Sequence, residues 1–123
     1  MRKIVPLLTL LCLALTAGCN QDNGATGAFS ENNSATLVPA DPDLAAIYNR
    51  SCRSCHTVAA TGSPLTGDRA AWAPRLEKGM DVLVDNVVGG FGGMPPFGLC
   101  MDCDAGQFEA LIDFMSTAGR AAP

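Results

Sequence analysis

Two cysteines and a histidine lie close together in the segment Cys52-Arg53-Ser54-Cys55-His56. Two thiols at this spacing can form thioether bonds to the two vinyl groups of a haem, while the imidazole that follows can bind the iron. His56 is the only histidine of the chain, so a second protein ligand would come from another residue type. The motif predicts one covalent haem c, with Cys52, Cys55 and His56 holding it and its iron.

Two other kinds of chemistry use paired cysteines. Cys100 and Cys103 form a second Cys-x-x-Cys pair, and four thiols can bind zinc, but 44 residues separate the two pairs. That separation is more than twice the usual zinc-ribbon spacing. A thioredoxin-like redox motif would follow a strand in a βαβ unit, whereas this motif follows a predicted helix. A haem-free zinc module and a thiol–disulfide protein remain alternatives.

Met94 is the candidate for the second axial ligand of the iron. It lies within Gly89–Gly98, which holds five glycines and two prolines; glycine permits close approach to a porphyrin, and proline restricts the loop. The other methionines lie in the leader, on predicted helix faces or between two cysteines. His/Met ligation raises the reduction potential and leaves no open site on the iron. Single-electron transfer follows; the alternative is a labile Met94 that admits nitric oxide or peroxide.

Three predicted helices position these residues. Asp41-Pro42-Asp43 is a helix start, because Asp caps the helix and Pro suits its first turn, and this helix leads into the haem motif. A second helix ends at Gly89, and a third starts near Asp104 with Gln107 in a capping box. Their apolar positions are Leu44, Ile47 and Tyr48, then Met80, Leu83, Val84, Val87 and Val88, then Phe108, Leu111, Ile112 and Met115. Thr57–Pro74 reads as a loop, and no strand pattern appears.

The N-terminal residues resemble an export signal. Arg2 and Lys3 precede the apolar run 4–17, so residues 1–18 are predicted to be a signal peptide. Leu15-Thr16-Ala17-Gly18-Cys19 resembles the lipobox of bacterial lipoproteins, which predicts a lipid on Cys19 and attachment to a membrane; Asn20 then favours the outer membrane of a Gram-negative cell. Thr16 departs from the usual lipobox, and the alternative is a soluble periplasmic protein.

Length and charge limit what the rest of the chain can be. With 123 residues, the chain has room for one small domain, predicted over 41–120. Residues 19–40, rich in Asn, Gly, Ser, Ala and Thr, are predicted to be a flexible linker. The net charge is −4 and becomes −6 without Arg2 and Lys3, which argues against nucleic acid as a partner. An exported protein also favours a Cys100–Cys103 disulfide.

From about Leu44 to Met115 the sequence resembles the bacterial cytochrome c5 group of class I c-type cytochromes. The shared motifs are Tyr48-x3-Cys52-x-x-Cys55-His56, Thr66–Arg75, Gly79-Met80-Asp81, Gly93-Met94-Pro95-Pro96 and Cys100-Met101-Asp102-Cys103. The resemblance implies an all-α class I cytochrome c fold around one haem, with His56 and Met94 as axial ligands and a Cys100–Cys103 disulfide. It also implies a periplasmic electron carrier, not an enzyme, whose redox protein partners dock transiently.

The resemblance assigns roles to three further residues. Pro64 matches the proline whose carbonyl accepts from the proximal imidazole and fixes its tautomer. Trp72 and Arg75 match the stretch near the haem propionates, where an arginine can donate charge-assisted hydrogen bonds; a core Trp and a solvated Arg are the alternatives. Phe97-Gly98-Leu99 departs from the Lys and glycines common in the group, which predicts a more apolar docking rim.

Overall fold

The computed structural model describes residues 29–119. These residues form helix α1 (Glu31–Ala35), α2 (Pro42–Ile47), a π-helical turn (Tyr48–Cys52), α3 (Arg53–His56), a 3₁₀ turn (Ala59–Thr61), α4 (Arg69–Leu76), α5 (Met80–Gly89), a second 3₁₀ turn (Pro96–Leu99) and α6 (Ala105–Thr117). Between residues 29 and 119 the only β-type pairing outside helices is a single bridge, Phe91 with Met94. The predicted all-α fold is confirmed. In this part of the chain, no helix has both the length and the apolar character needed to cross a membrane.

The three predicted helices occur where their caps indicate. A carboxylate oxygen of Asp41 accepts from the Leu44 N–H at 2.8 Å, and Asp104 and Gln107 form a complete capping box at the start of α6. Helix α5 ends at Gly89. These starts and stops are therefore local consequences of the residues at the helix ends.

The helix that leads into the haem motif widens before it reaches the first cysteine. The N–H of Arg53 donates to the carbonyl of Tyr48, five residues earlier, which is the π-helical pattern. Single π-helical turns of this kind are frequent at functional sites. The backbone stays helical from Pro42 to His56, and the wide turn buries Tyr48 and Ser51.

Helix α6 lies at the centre of the core. It packs against α2, α4 and α5. The buried apolar cluster comprises Ile47, Tyr48, Trp72, Leu83, Cys100, Phe108, Leu111, Ile112 and Met115. The ring of Tyr48 meets the partly buried Phe114 edge-on at 5.1 Å between centroids, and the Tyr48 hydroxyl donates to Oγ1 of Thr66 at 3.0 Å.

The prediction of a loop from Thr57 to Pro74 is wrong for its last six residues, which belong to α4. Asp68 caps this helix by accepting from the Ala71 N–H at 3.1 Å. Pro74 lies inside α4, where it removes one backbone hydrogen bond. Burial of Trp72 on the same helix offsets that loss, which a local pattern of helix breakers does not reveal.

The prediction of a flexible linker over 19–40 is wrong for residues 29–40. Ser30 caps α1 by accepting from the Asn33 N–H, while Ser34 and Pro39 are buried. The polar side chains that suggested disorder instead make local caps and hydrogen bonds to the domain, so the folded part begins by Phe29 rather than at Asp41. The predicted signal peptide, Cys19 and residues 20–28 lie outside the described residues.

Candidate functional site

The ring of His56 is buried and oriented by a single strong contact. His56 ends α3 and is 8% exposed, and its Nδ1 lies 2.8 Å from the carbonyl oxygen of Pro64. A carbonyl can only accept, so Nδ1 carries the proton and Nε2 keeps its lone pair. That tautomer is the one in which Nε2 can bind a metal.

Burial also keeps the imidazole neutral. It lowers the pKa of His56, the positive charge of Arg75 lowers the pKa further, and the hydrogen bond to Pro64 partly opposes both. A neutral imidazole is the form that ligates iron. The protonation state and the tautomer of His56 thus both favour metal binding through Nε2.

Three consecutive residues after the motif hold the His56 region. Pro64 accepts from the imidazole, Leu65 accepts from the indole Nε1–H of Trp72 at 2.9 Å, and the N–H of Thr66 donates to the His56 carbonyl at 2.7 Å. The Trp72 ring, 4% exposed, stacks on the His56 ring with 5.7 Å between centroids and 22° between planes. Pro64 and Trp72 therefore both contact His56.

Arg75 lies one turn beyond Trp72 on α4. Its guanidinium donates to the Ala71 carbonyl on the same helix, and its charge acts on His56. A role toward haem propionates stays a prediction for Arg75 and for Trp72.

The Cys52 thiol is poorly suited to disulfide exchange, and the second cysteine pair is not available to zinc. Neither Cys52 nor Cys55 forms a disulfide with a described residue, and burial raises the pKa of the Cys52 thiol to about 11 although Arg50 opposes the rise. A protonated thiol is a poor nucleophile for disulfide exchange. Cys100 and Cys103 are joined in a disulfide, so they offer no thiolates to a zinc ion. Both alternative readings of the cysteines lose support.

Met94 lies in a tight turn closed by its own neighbours. The N–H of Phe91 donates to the Met94 carbonyl at 3.0 Å, and the N–H of Met94 donates back to the Phe91 carbonyl at 2.9 Å. Gly90 has a φ of +81°, and a Cβ there would lie 3.0 Å from the Met94 carbonyl and from the Pro96 nitrogen. Only glycine fits this position, which explains part of the glycine-rich sequence.

The segment after Met94 combines backbone strain with a crosslink. Phe97 and Leu99 have φ angles of 58° and 67° on either side of Gly98, a region that non-glycine residues seldom occupy. The Phe97 ring packs toward Phe108 in α6 at 6.5 Å between centroids. The disulfide follows directly and joins Cys100, which is buried, to Cys103.

Arg50 connects this segment to the helix that carries the cysteines. Its Nη2 lies 3.2 Å from the Cys100 sulfur and 2.9 Å from each carboxylate oxygen of Asp102. Arg50 precedes Cys52 by two residues, so the disulfide segment contacts the turn in which the haem motif begins.

The residues present fit a covalent haem c. Cys52 and Cys55 form no disulfide within residues 29–119, and His56 presents a neutral ring with Nε2 as its metal-binding atom. Val58, two residues after His56, and Phe91, three residues before Met94, are exposed apolar side chains, which suits a flat apolar group that would cover them.

Sequence reasoning missed Ser34, Arg53 and Thr66. The Ser34 hydroxyl donates to the His56 carbonyl at 3.1 Å, and Arg53 donates to the Ala35 carbonyl at 2.6 Å. The signal for the first contact was Ser30 followed by Glu31, a helix start between the apolar residues Phe29 and Leu37. It was hidden by the polar composition around it.

Known proteins show the same fold and sequence pattern. A family profile described as "Cytochrome C oxidase, cbb3-type, subunit III" matches residues 39–115. Cytochrome c5 of Azotobacter vinelandii is 37% identical over 76 residues, which cover 60% of this chain and 88% of the relative. Cytochrome c-555 of Chlorobaculum thiosulfatiphilum is 48% identical over 48 residues, 39% of this chain and 56% of the relative, so the match spans about half of that protein.

Two solved structures are similar as well. A mono-heme ferrocytochrome c from Shewanella putrefaciens has a TM-score of 0.56 and 44% identity over 65% of this chain and 99% of that one. A chain in the electron transfer complex of nitrite reductase with cytochrome c has a TM-score of 0.57 and 36% identity over 65% of this chain and 98% of that one. On these matches, the chain belongs to the class I c-type cytochromes, whose cofactor is covalently bound haem c.

Proposed function

We propose that the protein is a mono-haem electron carrier in which His56 and Met94 are the axial ligands of the iron. The observation that carries the proposal is the hydrogen bond from His56 Nδ1–H to the Pro64 carbonyl at 2.8 Å. It fixes Nε2 as the metal-binding atom of a buried imidazole that directly follows the Cys52-x-x-Cys55 pair. A thiol oxidoreductase does not need that tautomer, and a four-cysteine zinc module is disfavoured because Cys100 and Cys103 are joined in a disulfide.

When bound, haem c supplies a one-electron couple at its iron. Cys52 and Cys55 would hold the group covalently, so that it would be kept through many redox cycles. The thioether of Met94 is a weak donor that favours the ferrous state and raises the reduction potential. Trp72 and the buried apolar cluster keep water away from His56. Little solvent then has to rearrange around this residue when an electron is gained or lost.

The test compares two methionines in the reduced holoprotein. Met94→Leu removes the proposed sixth ligand and is expected to let carbon monoxide bind at neutral pH. Met101→Leu, at a position that is 72% exposed, is the matched control and is expected to exclude carbon monoxide as the wild type does. Strong carbon monoxide binding by the wild type would instead favour the ligand-binding alternative.

Redox proteins are the proposed partners. One similar solved structure is named as an electron transfer complex of nitrite reductase with cytochrome c, which supports docking between proteins for a chain of this fold. Leu99 and Met101, 64% and 72% exposed, give the segment after Met94 an apolar surface. Transient redox encounters bury little area, so a few such side chains suffice.

We propose that the protein is exported and then anchored to a membrane by a lipid on Cys19. The predicted signal peptide would deliver the protein to the periplasm, and the lipid would hold it on the periplasmic side of the outer membrane. Cells fed a radioactive fatty acid are expected to label the wild type and not Cys19→Ala. A wild type without label would leave a soluble periplasmic carrier.

A further inference from the structure

Residues 29–40, named here the proximal strap, lie against the part of the domain that carries His56. The strap reaches the haem motif and the loop after it at several points. Ser34 donates to the His56 carbonyl, the Ala35 carbonyl accepts from Arg53, and the Glu31 carboxylate accepts from the Ala59 N–H. Each contact joins residues 18 or more positions apart in sequence, so tertiary structure and not local turn formation places the strap.

Ser34 is the central contact of the proximal strap. Its side chain is 0% exposed, and its hydroxyl donates to the His56 carbonyl at 3.1 Å. His56 is the last residue of α3, where carbonyls lack partners within the helix. That carbonyl therefore receives one hydrogen bond from the strap and one from the Thr66 N–H, at 2.7 Å. The two donors approach from segments before and after the motif.

Apolar packing seats the strap on Gly67. This glycine has a φ of +89°, and a Cβ at its position would lie 2.6 Å from Leu37 Cδ1 and 2.8 Å from Phe29 Cζ. The absence of a side chain at Gly67 lets both strap residues lie directly on its backbone. The Gly67 N–H donates to the Met115 carbonyl at 2.7 Å, which connects the strap's seat to α6.

We propose that the proximal strap fixes the backbone of His56, with Ser34 as a positioning residue that acts through the His56 carbonyl on the orientation of the imidazole. This inference rests on the proposed role of His56 as iron ligand. The ring is held at Nδ1 by Pro64, and its backbone is held by Ser34 and Thr66. Removing the Ser34 contact leaves the His56 carbonyl with the Thr66 hydrogen bond alone, and the end of α3 can then shift relative to Pro64 and Trp72.

The test uses two buried serines in the full-length oxidised holoprotein. Ser34→Ala removes the contact to His56; Ser116→Ala is the matched control, because Ser116 is also buried and its hydroxyl donates at 3.1 Å to a carbonyl in its own helix, that of Asp113. Proton NMR of the ferric protein reads the haem methyl resonances, whose paramagnetic shifts depend on the orientation of the axial imidazole plane. We expect Ser34→Ala to move these resonances and Ser116→Ala to leave them in place.

Unchanged haem methyl shifts in Ser34→Ala would overturn the inference, and so would equal changes in both variants, which would indicate only a general loosening. If Ser34→Ala yields no holoprotein, hydrogen exchange in the wild type decides. The amides of Ser34 and Leu37, bonded within the strap, are expected to exchange at least about 100-fold more slowly than in an unfolded chain; unprotected amides would overturn the inference. A wild type without strongly shifted His56 ring signals would instead contradict the proposed ligation itself.

Discussion

His56 and Met94 are themselves held by hydrogen bonds that reach very different distances along the chain. The His56 region receives hydrogen bonds from Ser34, 22 residues earlier, and stacks on Trp72 in another helix. The Met94 region is closed by mutual backbone bonds between Phe91 and Met94 and by a disulfide between Cys100 and Cys103. Distant segments therefore contact His56 directly, whereas Met94 is bonded within its own turn and the distant contacts of Phe108 and Arg50 are made to the residues that follow it.

This difference indicates which of the two candidate ligands should be lost first when the protein is destabilised. A residue held by long-range contacts moves only when much of the domain loosens, whereas a locally closed loop can open while the rest stays folded. The positive φ angles of Phe97 and Leu99 add strain to the same loop. Loss of Met94 ligation is therefore expected before loss of His56 ligation.

The largest expected effect comes from removing the Trp72 side chain, which packs on His56. Trp72→Ala leaves a cavity beside the imidazole and removes one of the two hydrogen bonds that the Leu65 carbonyl accepts, so we expect the free energy of unfolding to fall by about 3–5 kcal/mol. Guanidinium denaturation of the holoprotein measures it. Leu76→Ala, on the exposed end of the same helix, is the control and should cost far less. If the two variants lost equal free energy of unfolding, Trp72 would contribute no more to stability than an exposed residue of the same helix.

A smaller and more local effect is expected at Gly90. Gly90→Ala places a Cβ 3.0 Å from the Met94 carbonyl at a φ of +81°, a strain of about 1–3 kcal/mol borne by the loop. The far-red sulfur-to-iron band is expected to disappear at a lower denaturant concentration than in the wild type, ahead of global unfolding. Gly93→Ala, where a Cβ meets no atom within 4 Å, should change little. If the far-red band of Gly90→Ala is lost at the same denaturant concentration at which the domain unfolds, the Met94 loop does not open separately.

The smallest expected effect concerns Asp102 and Arg50, which connect the disulfide segment to the cysteine-bearing helix. The hydrogen bond from Arg50 lowers the pKa of Asp102 below its ordinary value of 3.8. The depressed pKa means that the stabilisation is present above 3.8 and is lost as the pH falls through the lower value of the folded state. In thermal melts at neutral pH, the melting temperature of the wild type should therefore be slightly higher than that of Asp102→Asn. The difference in melting temperature should vanish in acid. A difference that persists in acid would exclude the ion pair as its cause.

Local signals in the sequence predicted the helix starts and the motif, because caps and attachment residues act over a few positions. Asp41, Asp104 and the glycine stop at Gly89 needed no tertiary information. The helix around Pro74 and the strap around Ser34 could not be predicted in this way. Both are stabilised by burial against distant residues, which outweighs a proline in one case and a polar composition in the other.

The candidate site likewise contains residues that local sequence patterns predict and residues that only the tertiary structure brings together. Cys52, Cys55 and His56 follow from spacing, and the resemblance to cytochromes c5 supplied Pro64, whose carbonyl the structure places at Nδ1 of His56. The second hydrogen bond on the His56 backbone, from Ser34, joins segments with no shared local pattern. Only the folded chain reveals it.

The most direct test of the account is the visible spectrum of protein matured in a periplasm, recorded oxidised and reduced and then after denaturation. The account predicts sharp ferrous bands, a far-red sulfur-to-iron band in the oxidised state, and colour that stays with the denatured chain. Covalent colour without the far-red band would contradict Met94 as ligand. A colourless product, under conditions that mature a control cytochrome, would contradict haem attachment at Cys52 and Cys55.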